Sequence, residues 1–314
     1  MSESENQQES EARSHYIAVI QALFVTVLWS SSWVIIKFGL EEIPPLTFSG
    51  LRYSIAAGIL LAVIFSKPDL RRTVRGKTTR WWGLMIMYGL LFVSITQGAM
   101  FVGLSLLESI TVSMLLGLTP IFVLIFGVFL LRETPTKGEI GWITLGIFGV
   151  LLYFYPIDIA GVQVLGLIVV TCGIIANALS SILGRSINKQ KLAPAIVVTG
   201  VSMTFGSIFL LMAGIVVEGF VILSPISIFY ILWLSVVNTA FAFTLWNKVM
   251  QTLRAVDSSI INGTMLPQIV VLSIVFLGEF PEALDWIGLV LVGLSALLVQ
   301  VSQARRIRKN EVDS

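Results

Sequence analysis

Residues 118–133 read LTPIFVLIFGVFLLRE, and residues 265–279 read MLPQIVVLSIVFLGE. Each stretch carries a proline at its third position, Pro120 or Pro267, runs on through apolar residues, and ends on an acid, Glu133 or Glu279. Proline lacks an amide N–H and frees the carbonyl four residues before it, so it kinks a helix that continues past it. The residues that follow are apolar on every face, and a helix of that kind is surrounded by hydrocarbon or by other helices. The offset between the two prolines is 147 residues, and the same offset separates Gly141 from Gly288 and Gly146 from Gly293. One chain therefore contains the same helical pattern twice.

Composition extends this reading to the whole chain. Of 314 residues, 56% are hydrophobic and 12% charged, with a mean hydropathy of +0.93. A soluble domain carries about 25% charged residues. With half of that, a water-soluble globule of this length could not cover its surface. A soluble enzyme, a nucleic-acid binder and a disordered protein are thereby excluded, and a polytopic membrane protein remains. A lone cysteine, Cys172, supports neither a disulfide framework nor a thiolate metal cluster.

A membrane helix needs about 20 apolar residues. Cut at its charged and Pro/Gly-rich punctuation, the sequence predicts ten spans, roughly 17–38, 45–66, 82–103, 109–131, 139–156, 163–185, 194–216, 226–247, 257–278 and 285–302. Alternate connections differ in charge. One set holds Arg13; Lys67, Arg71, Arg72, Arg75, Lys77 and Arg80; Arg132 and Lys137; Arg185, Lys189 and Lys191; Lys248 and Arg254; and Arg305, Arg306, Arg308 and Lys309, which is 18 of the 20 basic residues. The other set holds only acids: Glu41, Glu42, Glu108, Asp158, Glu218, Glu279, Glu282 and Asp285. Basic loops stay in the cytoplasm, so the pattern places both termini there, as expected for a protein of a prokaryotic plasma (inner) membrane. The domain expectation is a disordered cytoplasmic tail at 1–16, a first five-helix repeat at 17–156, a second at 163–302 and a basic cytoplasmic tail at 303–314.

The repeat reaches upstream with a drift of one to three residues: Trp29 to Lys37 matches Asn177 to Arg185, Pro45 matches Pro194, and Gly50 matches Gly200. Because five is odd, the second copy must enter the membrane in the opposite sense. Inverted repeats are a recurrent device of secondary transporters, in which two similar halves exchange conformations around a central site. The expected fold class is an all-α integral membrane protein whose ten helices form two inverted repeats around a central cavity.

The Trp-Ser-rich first helix ending in a base (Trp29, Ser30, Ser31, Ser32, Trp33, Lys37), the Pro44-Pro45 loop before the arginine-bearing second helix (Arg52) and the proline-to-Glu fourth helix (Pro120, Glu133) resemble the EamA repeat of the drug/metabolite transporter superfamily. The likeness covers about His15 to Val301. It implies a ten-helix carrier with both termini inside, commonly an exporter of amino acids, metabolites or amphipathic drugs. Helices 5 and 10 would lie outside the cavity, at a homodimer contact.

Polar residues inside the spans nominate a substrate site. Trp29, Ser32, Trp33 and Ile36 share one helical face; Asn177 and Ser181, Asn238 with Ala242 and Trp246, Gln97, and Asn262 with Gln268 add hydrogen-bonding groups. Amides left facing lipid cost kilocalories, so these belong in the interior. Aromatic faces beside amides suit a part-apolar, part-zwitterionic or cationic small molecule. Asparagine and serine also join helices to one another, so each residue alone has two readings. The charged candidates are Lys37, whose stem could reach the headgroups; Arg52, which is either functional or bonded to a carbonyl or a rim acid; and Glu108 and Asp257, the acids nearest a span. Pro120 and Pro267 are the expected hinges. No phosphate-loop motif, catalytic triad or metal-ligand cluster occurs, so no enzyme activity, cofactor, metal or nucleic acid is expected. The lipid bilayer and a small-molecule substrate are the expected partners. Two alternatives remain: a nucleotide-sugar or triose-phosphate exchanger of the same superfamily, and a channel or scaffold.

Overall fold

The computed structural model describes the backbone of residues 2–131, 134–156, 161–190, 192–250, 252–253 and 255–312, with side chains described at these positions except 2–13, 130–131, 188–189, 247, 255–256, 259 and 304–312. Arg132, Glu133, Asp158, Lys191 and Arg254, and the side chains of Arg13, Lys189 and the basic cluster at 305–309, lie outside the described residues. Among those described, the order is α1 (Ser2–Gly39), α2 (Pro45–Ser66), α3 (Pro68–Arg75), α4 (Thr79–Gly89), a π-helical segment (Leu90–Ile95), α5 (Thr96–Leu106), α6 (Ser109–Gly117), α7 (Thr119–Leu131), α8 (Lys137–Tyr153), α9 (Gly161–Lys189), α10 (Ala195–Glu218), α11 (Pro225–Ser235), a second π-helical segment (Val236–Phe241), α12 (Ala242–Val249), α13 (Ala255–Gly263), α14 (Met265–Leu277) and α15 (Ala283–Val312). No strand occurs among them.

Nine helical stretches among the described residues are long and apolar enough to cross a membrane: Ser14–Gly39, Pro45–Ser66, Thr79–Leu106, Ser109–Phe129, Gly161–Ile187, Ala195–Glu218, Pro225–Trp246, Ile260–Leu277 and Ala283–Gln303. The fifth expected span is α8, with 17 residues. At 1.5 Å per residue it is roughly 26 Å long. Its start is fixed by a capping box in which Thr136 and Glu139 exchange hydrogen bonds. Helix α1 runs back to Ser2, so residues 2–16, expected as a disordered tail, continue the helix. Their Glu, Gln, Ala and Arg are adequate helix formers.

Both proline helices are interrupted just before the proline: α6 ends at Gly117 and α7 begins at Thr119, while α13 ends at Gly263 and α14 begins at Met265. In the first, the Thr119 hydroxyl donates to the Leu116 carbonyl at 2.7 Å, the acceptor that Pro120 leaves without its usual amide. α14 ends on Gly278, whose φ of +69° is the left-handed cap that favours glycine.

Helix pairs meet where glycines remove side chains. A Cβ on Gly50 would lie 2.7 Å from the Leu211 backbone, one on Gly214 2.8 Å from the Thr47 nitrogen, and one on Gly200 2.7 Å from Ile64. Rising numbers on one helix meet falling numbers on the other, so α2 and α10 run antiparallel. α8 and α15 also run antiparallel: Gly146 faces Ser295, and a Cβ on Gly288 would come 2.7 Å from the Gly149 oxygen. The glycine faces of α8 and α15 therefore meet each other within the chain. The tightest approach joins α4 to α10, where Cβ atoms would lie 2.1 Å (Gly89) and 2.3 Å (Gly206) from facing backbone oxygens.

The distribution of side chains is that of a protein solvated by hydrocarbon. Large apolar residues such as Phe129, Val216, Val275 and Phe148 face outward, whereas Thr26, Ser30, Ser49, Ser202, Asn238 and Thr239 are fully buried. Where no water is available, polar groups turn inward to find partners.

Candidate functional site

A cavity of about 790 Å³ lies inside the bundle. Its walls include Trp29, Ser32, Trp33, Gln97, Asn177, Ser181, Trp246 and Asn262, drawn from helices of both halves. Trp29 stands 5.4 Å from Phe243 and 5.2 Å from Trp246 between ring centroids, and Phe92 approaches Phe243 at 6.4 Å. These rings form an aromatic wall. Polar groups break it at defined places: the Tyr53 hydroxyl donates to Gln97 Oε1 at 2.7 Å, Asn177 Nδ2 donates to Thr119 Oγ1 at 3.1 Å, and the Ser181 hydroxyl donates to the Asn177 carbonyl at 2.8 Å. The lining extends from Arg52 and Ser113 to Ser258 and Gln303 at the ends of their spans that adjoin the basic connections.

Asn238 departs from its expected place. It is fully buried and absent from the cavity wall. Its Nδ2 donates to the Leu28 carbonyl and, at 3.4 Å, to the Ser31 hydroxyl, which ties the stretch Pro225–Trp246 to α1. The expectation rested on the four-residue spacing of Asn238, Ala242 and Trp246. The π-helical segment Val236–Phe241 intervenes and widens the turn, so residues on either side of it no longer share the face that an α-helix would give them. Gln268 is likewise a joint: it accepts from the Ser30 hydroxyl at 3.0 Å and donates to Thr26 at 3.2 Å and Thr264 at 3.0 Å. Pro120 lines the cavity and Pro267 does not.

Arg52 does reach the cavity. It is 4% exposed, and its partners are neither a backbone carbonyl nor a rim acid. Its Nε donates to the Thr239 hydroxyl at 3.0 Å, and its guanidinium carbon lies 5.2 Å and 5.9 Å from the ring centroids of Tyr53 and Phe101. Thr239 sits in the second π segment and donates in turn to the carbonyl five residues back, Leu234, at 2.8 Å. The wider π turn thus presents the hydroxyl that orients Arg52. Sequence periodicity could not reveal that link.

Lys37, Glu108 and Asp257 lie outside the cavity wall. Lys37 is held within the bundle: its Nζ donates to the Leu107 carbonyl at 2.7 Å, at the C-terminal end of α5, where a cation complements the helix dipole. It belongs to a rim at the acidic end that joins the two halves. Glu279 accepts from the Ser109 and Ile110 amides at 2.9 and 3.0 Å, at the start of α6. Glu218 accepts from the Leu46 and Thr47 amides at 2.8 and 2.7 Å, at the start of α2. Glu42 accepts from the hydroxyls of Ser224 and, at 2.6 Å, Ser227. Those two hydroxyls hold the Glu42 carboxyl below the usual carboxylate range. At Glu108, burial and then the charge of Glu279 raise the carboxyl, with Lys37 opposing. No group of three His, Cys, Asp or Glu that could hold a metal occurs among the described residues.

The EamA-like transporter family matches residues 16–155 and again residues 163–301. The chain belongs to that family. Among relatives of this EamA protein, the uncharacterized transporter YoaV of Bacillus subtilis is 32% identical over 131 residues, 41% of this chain and 43% of its own. A probable amino-acid metabolite efflux pump of Salmonella typhimurium is 25% identical over 297 residues, covering 89% of this chain and 93% of its own. An S-adenosylmethionine/S-adenosylhomocysteine transporter of Chlamydia trachomatis is 25% identical over 137 residues, 44% of this chain and 41% of its own. In its matches to YoaV, to YvbV of B. subtilis and to an Archaeoglobus fulgidus transporter, this EamA chain spans less than two thirds of the relative's length. A crystal structure with 17% identity superposes with a TM-score of 0.63 over 93% of this chain and 99% of the other, a likeness of fold.

Proposed function

We propose that this protein is a secondary transporter that exports small amphipathic metabolites, amino acids or drugs among them, from the cytoplasm by alternating access. The observation that carries the proposal is the pairing of one aromatic and amide-lined cavity, which runs toward the basic ends of its helices, with an acidic rim bonded across the halves by Glu42, Glu218 and Glu279. If basic connections face the cytoplasm, this is a cytoplasm-facing state with its outer end closed. The antiparallel packing of α2 with α10 and of α8 with α15 supports an inverted repeat of ten spans, α8 being the fifth, with both termini inside. The helix breaks before Pro120 and Pro267 are the natural points of bending. The efflux-pump name of the Salmonella relative supports the outward direction.

The test is counterflow in proteoliposomes containing the purified full-length protein. A carrier gives saturable uptake that is accelerated by unlabelled substrate inside. Currents far above carrier turnover would identify a channel, and exchange confined to sugar phosphates or nucleotide sugars would assign the protein to the exchanger class.

A further inference from the structure

The lining of the cavity contains one formal charge among the described residues, Arg52, and no carboxylate to balance it. Arg52 is 4% exposed, its Nε is committed to Thr239, and its buried Nη1 has no hydrogen-bond partner among the described residues. A buried guanidinium with an unused N–H is costly, because the group loses hydration without a compensating anion. The nearby ring faces of Tyr53 and Phe101 return part of that cost, but neither can accept a hydrogen bond of carboxylate strength. Gln97 adds to the same polarity: with its oxygen engaged by the Tyr53 hydroxyl, the amide has N–H groups to offer. This part of the site is rich in donors. Elsewhere the wall joins the rings of Trp29, Trp246, Phe243 and Phe92 to neutral hydroxyls and amides such as Asn177 and Asn262.

We infer that Arg52 is the anchor for a carboxylate, and that the ligands the cavity holds best are organic acids with an aromatic or long apolar body; an amino group is not needed. A carboxylate accepts only, matches the guanidinium fork, and gains most where water is absent. A purely cationic amine would meet Arg52 with like charge and find no carboxylate on the wall. The assignment rests on the cavity being the transport site, yet binding and movement can be measured separately.

The probes are four indoles that differ at the ends of one side chain: indole-3-propionate, tryptophan, tryptophanamide and tryptamine. Binding is read as thermal shift of the purified protein, and movement as counterflow in proteoliposomes. Wild type should bind and carry the two acids on the order of tenfold to a hundredfold better than the amide and the amine. Arg52→Gln should bring the four to parity, and Arg52→Lys should keep a reduced preference for the acids. The wild-type comparison stands even if a variant folds poorly. Acids that bind by this order but do not move would uphold the Arg52 site and sink the carrier reading. Tryptamine carried as well as indole-3-propionate would overturn the carboxylate assignment and leave the carrier reading intact, as would an unchanged acid preference in Arg52→Gln. No response to any probe would overturn both.

Discussion

The two ends of the bundle are held by different physics. At the acidic end, carboxylates from one half reach the amides or hydroxyls that begin helices of the other: Glu218 on α2, Glu279 on α6 and Glu42 on the start of α11. A helix N-terminus presents unpaired N–H groups and a positive dipole end, so Glu218 and Glu279 satisfy donors that would otherwise be stranded, while Glu42 accepts from hydroxyls. Toward the basic end, the halves face each other across aromatic rings and neutral amides bordering a cavity. Directional, charged bonds close one end, and soft contacts with ring faces leave the other open. Parting the acidic end would require the exchange of specific bonds, whereas the rings at the other end are joined by no directional bond to one another.

The largest expected effect removes the frame common to both ends. Gly206→Leu drives a side chain into the Gly89 carbonyl, 2.3 Å from the position of its Cβ, and overpacking at a backbone contact should cost about 3 kcal/mol or more; loss of monodisperse protein in size-exclusion chromatography checks it. Next, at the open end, Trp29→Ala removes the ring shared by Phe243 and Trp246. Flux should fall roughly tenfold, equivalent to about 1.4 kcal/mol of binding, with membrane abundance unchanged. Asn177→Ala should behave like Trp29→Ala. Asn238→Ala, which breaks the tie to Leu28 and Ser31, should lower abundance and flux together, and abundance-corrected transport separates the two patterns.

At the closed end, Glu279→Ala strands the Ser109 and Ile110 amides and should destabilise the protein by about 1–2 kcal/mol. Cysteines placed at the rim should then react faster with a membrane-impermeant maleimide added from the acidic side; an unchanged labelling rate would mean that the rim does not depend on this carboxylate. The smallest effect is a pH dependence at Glu42. Its carboxyl is held below its ordinary value by Ser224 and Ser227, so the stability it contributes is present above the unfolded value of about 4.3 and is lost as pH falls through the lower folded value. The melting-temperature gap between wild type and Glu42→Gln should be widest near pH 7 and close as the pH drops below about 4.

The sequence nominates nine residues for a substrate, and eight of them line the cavity, because polar groups in an apolar span turn inward to find partners. Trp29, Asn177 and Asn262 are examples. It misplaced Asn238 for a definite reason: helical-face arithmetic assumes 3.6 residues per turn, and the π segment at Val236–Phe241 breaks the count. Lys37 was read by its length alone, and its carbonyl partner, Leu107, is 70 residues distant in the chain. Glu218 and Glu279 were visible as outer acids, but the amides they bind belong to other helices. Tyr53, Phe92 and Phe243 enter the wall without a signal that separates them from ordinary lipid-facing aromatics.

What the sequence determined by itself was the solvent and the pattern: scarce, sorted charge and a repeated proline helix require a membrane bundle, because hydrocarbon tolerates neither stray charges nor unpaired backbone. Which polar groups are spent on one another, and which are left without a partner, depends on the packing of the helices. Asn238 Nδ2, Gln268 and Lys37 find partners across helices, whereas Arg52, a residue of the cavity wall, has a buried Nη1 without a hydrogen-bond partner among the described residues. Hydrogen-bond satisfaction is a property of atoms within about 3 Å of each other, and in a helical bundle those atoms come from residues far apart in sequence.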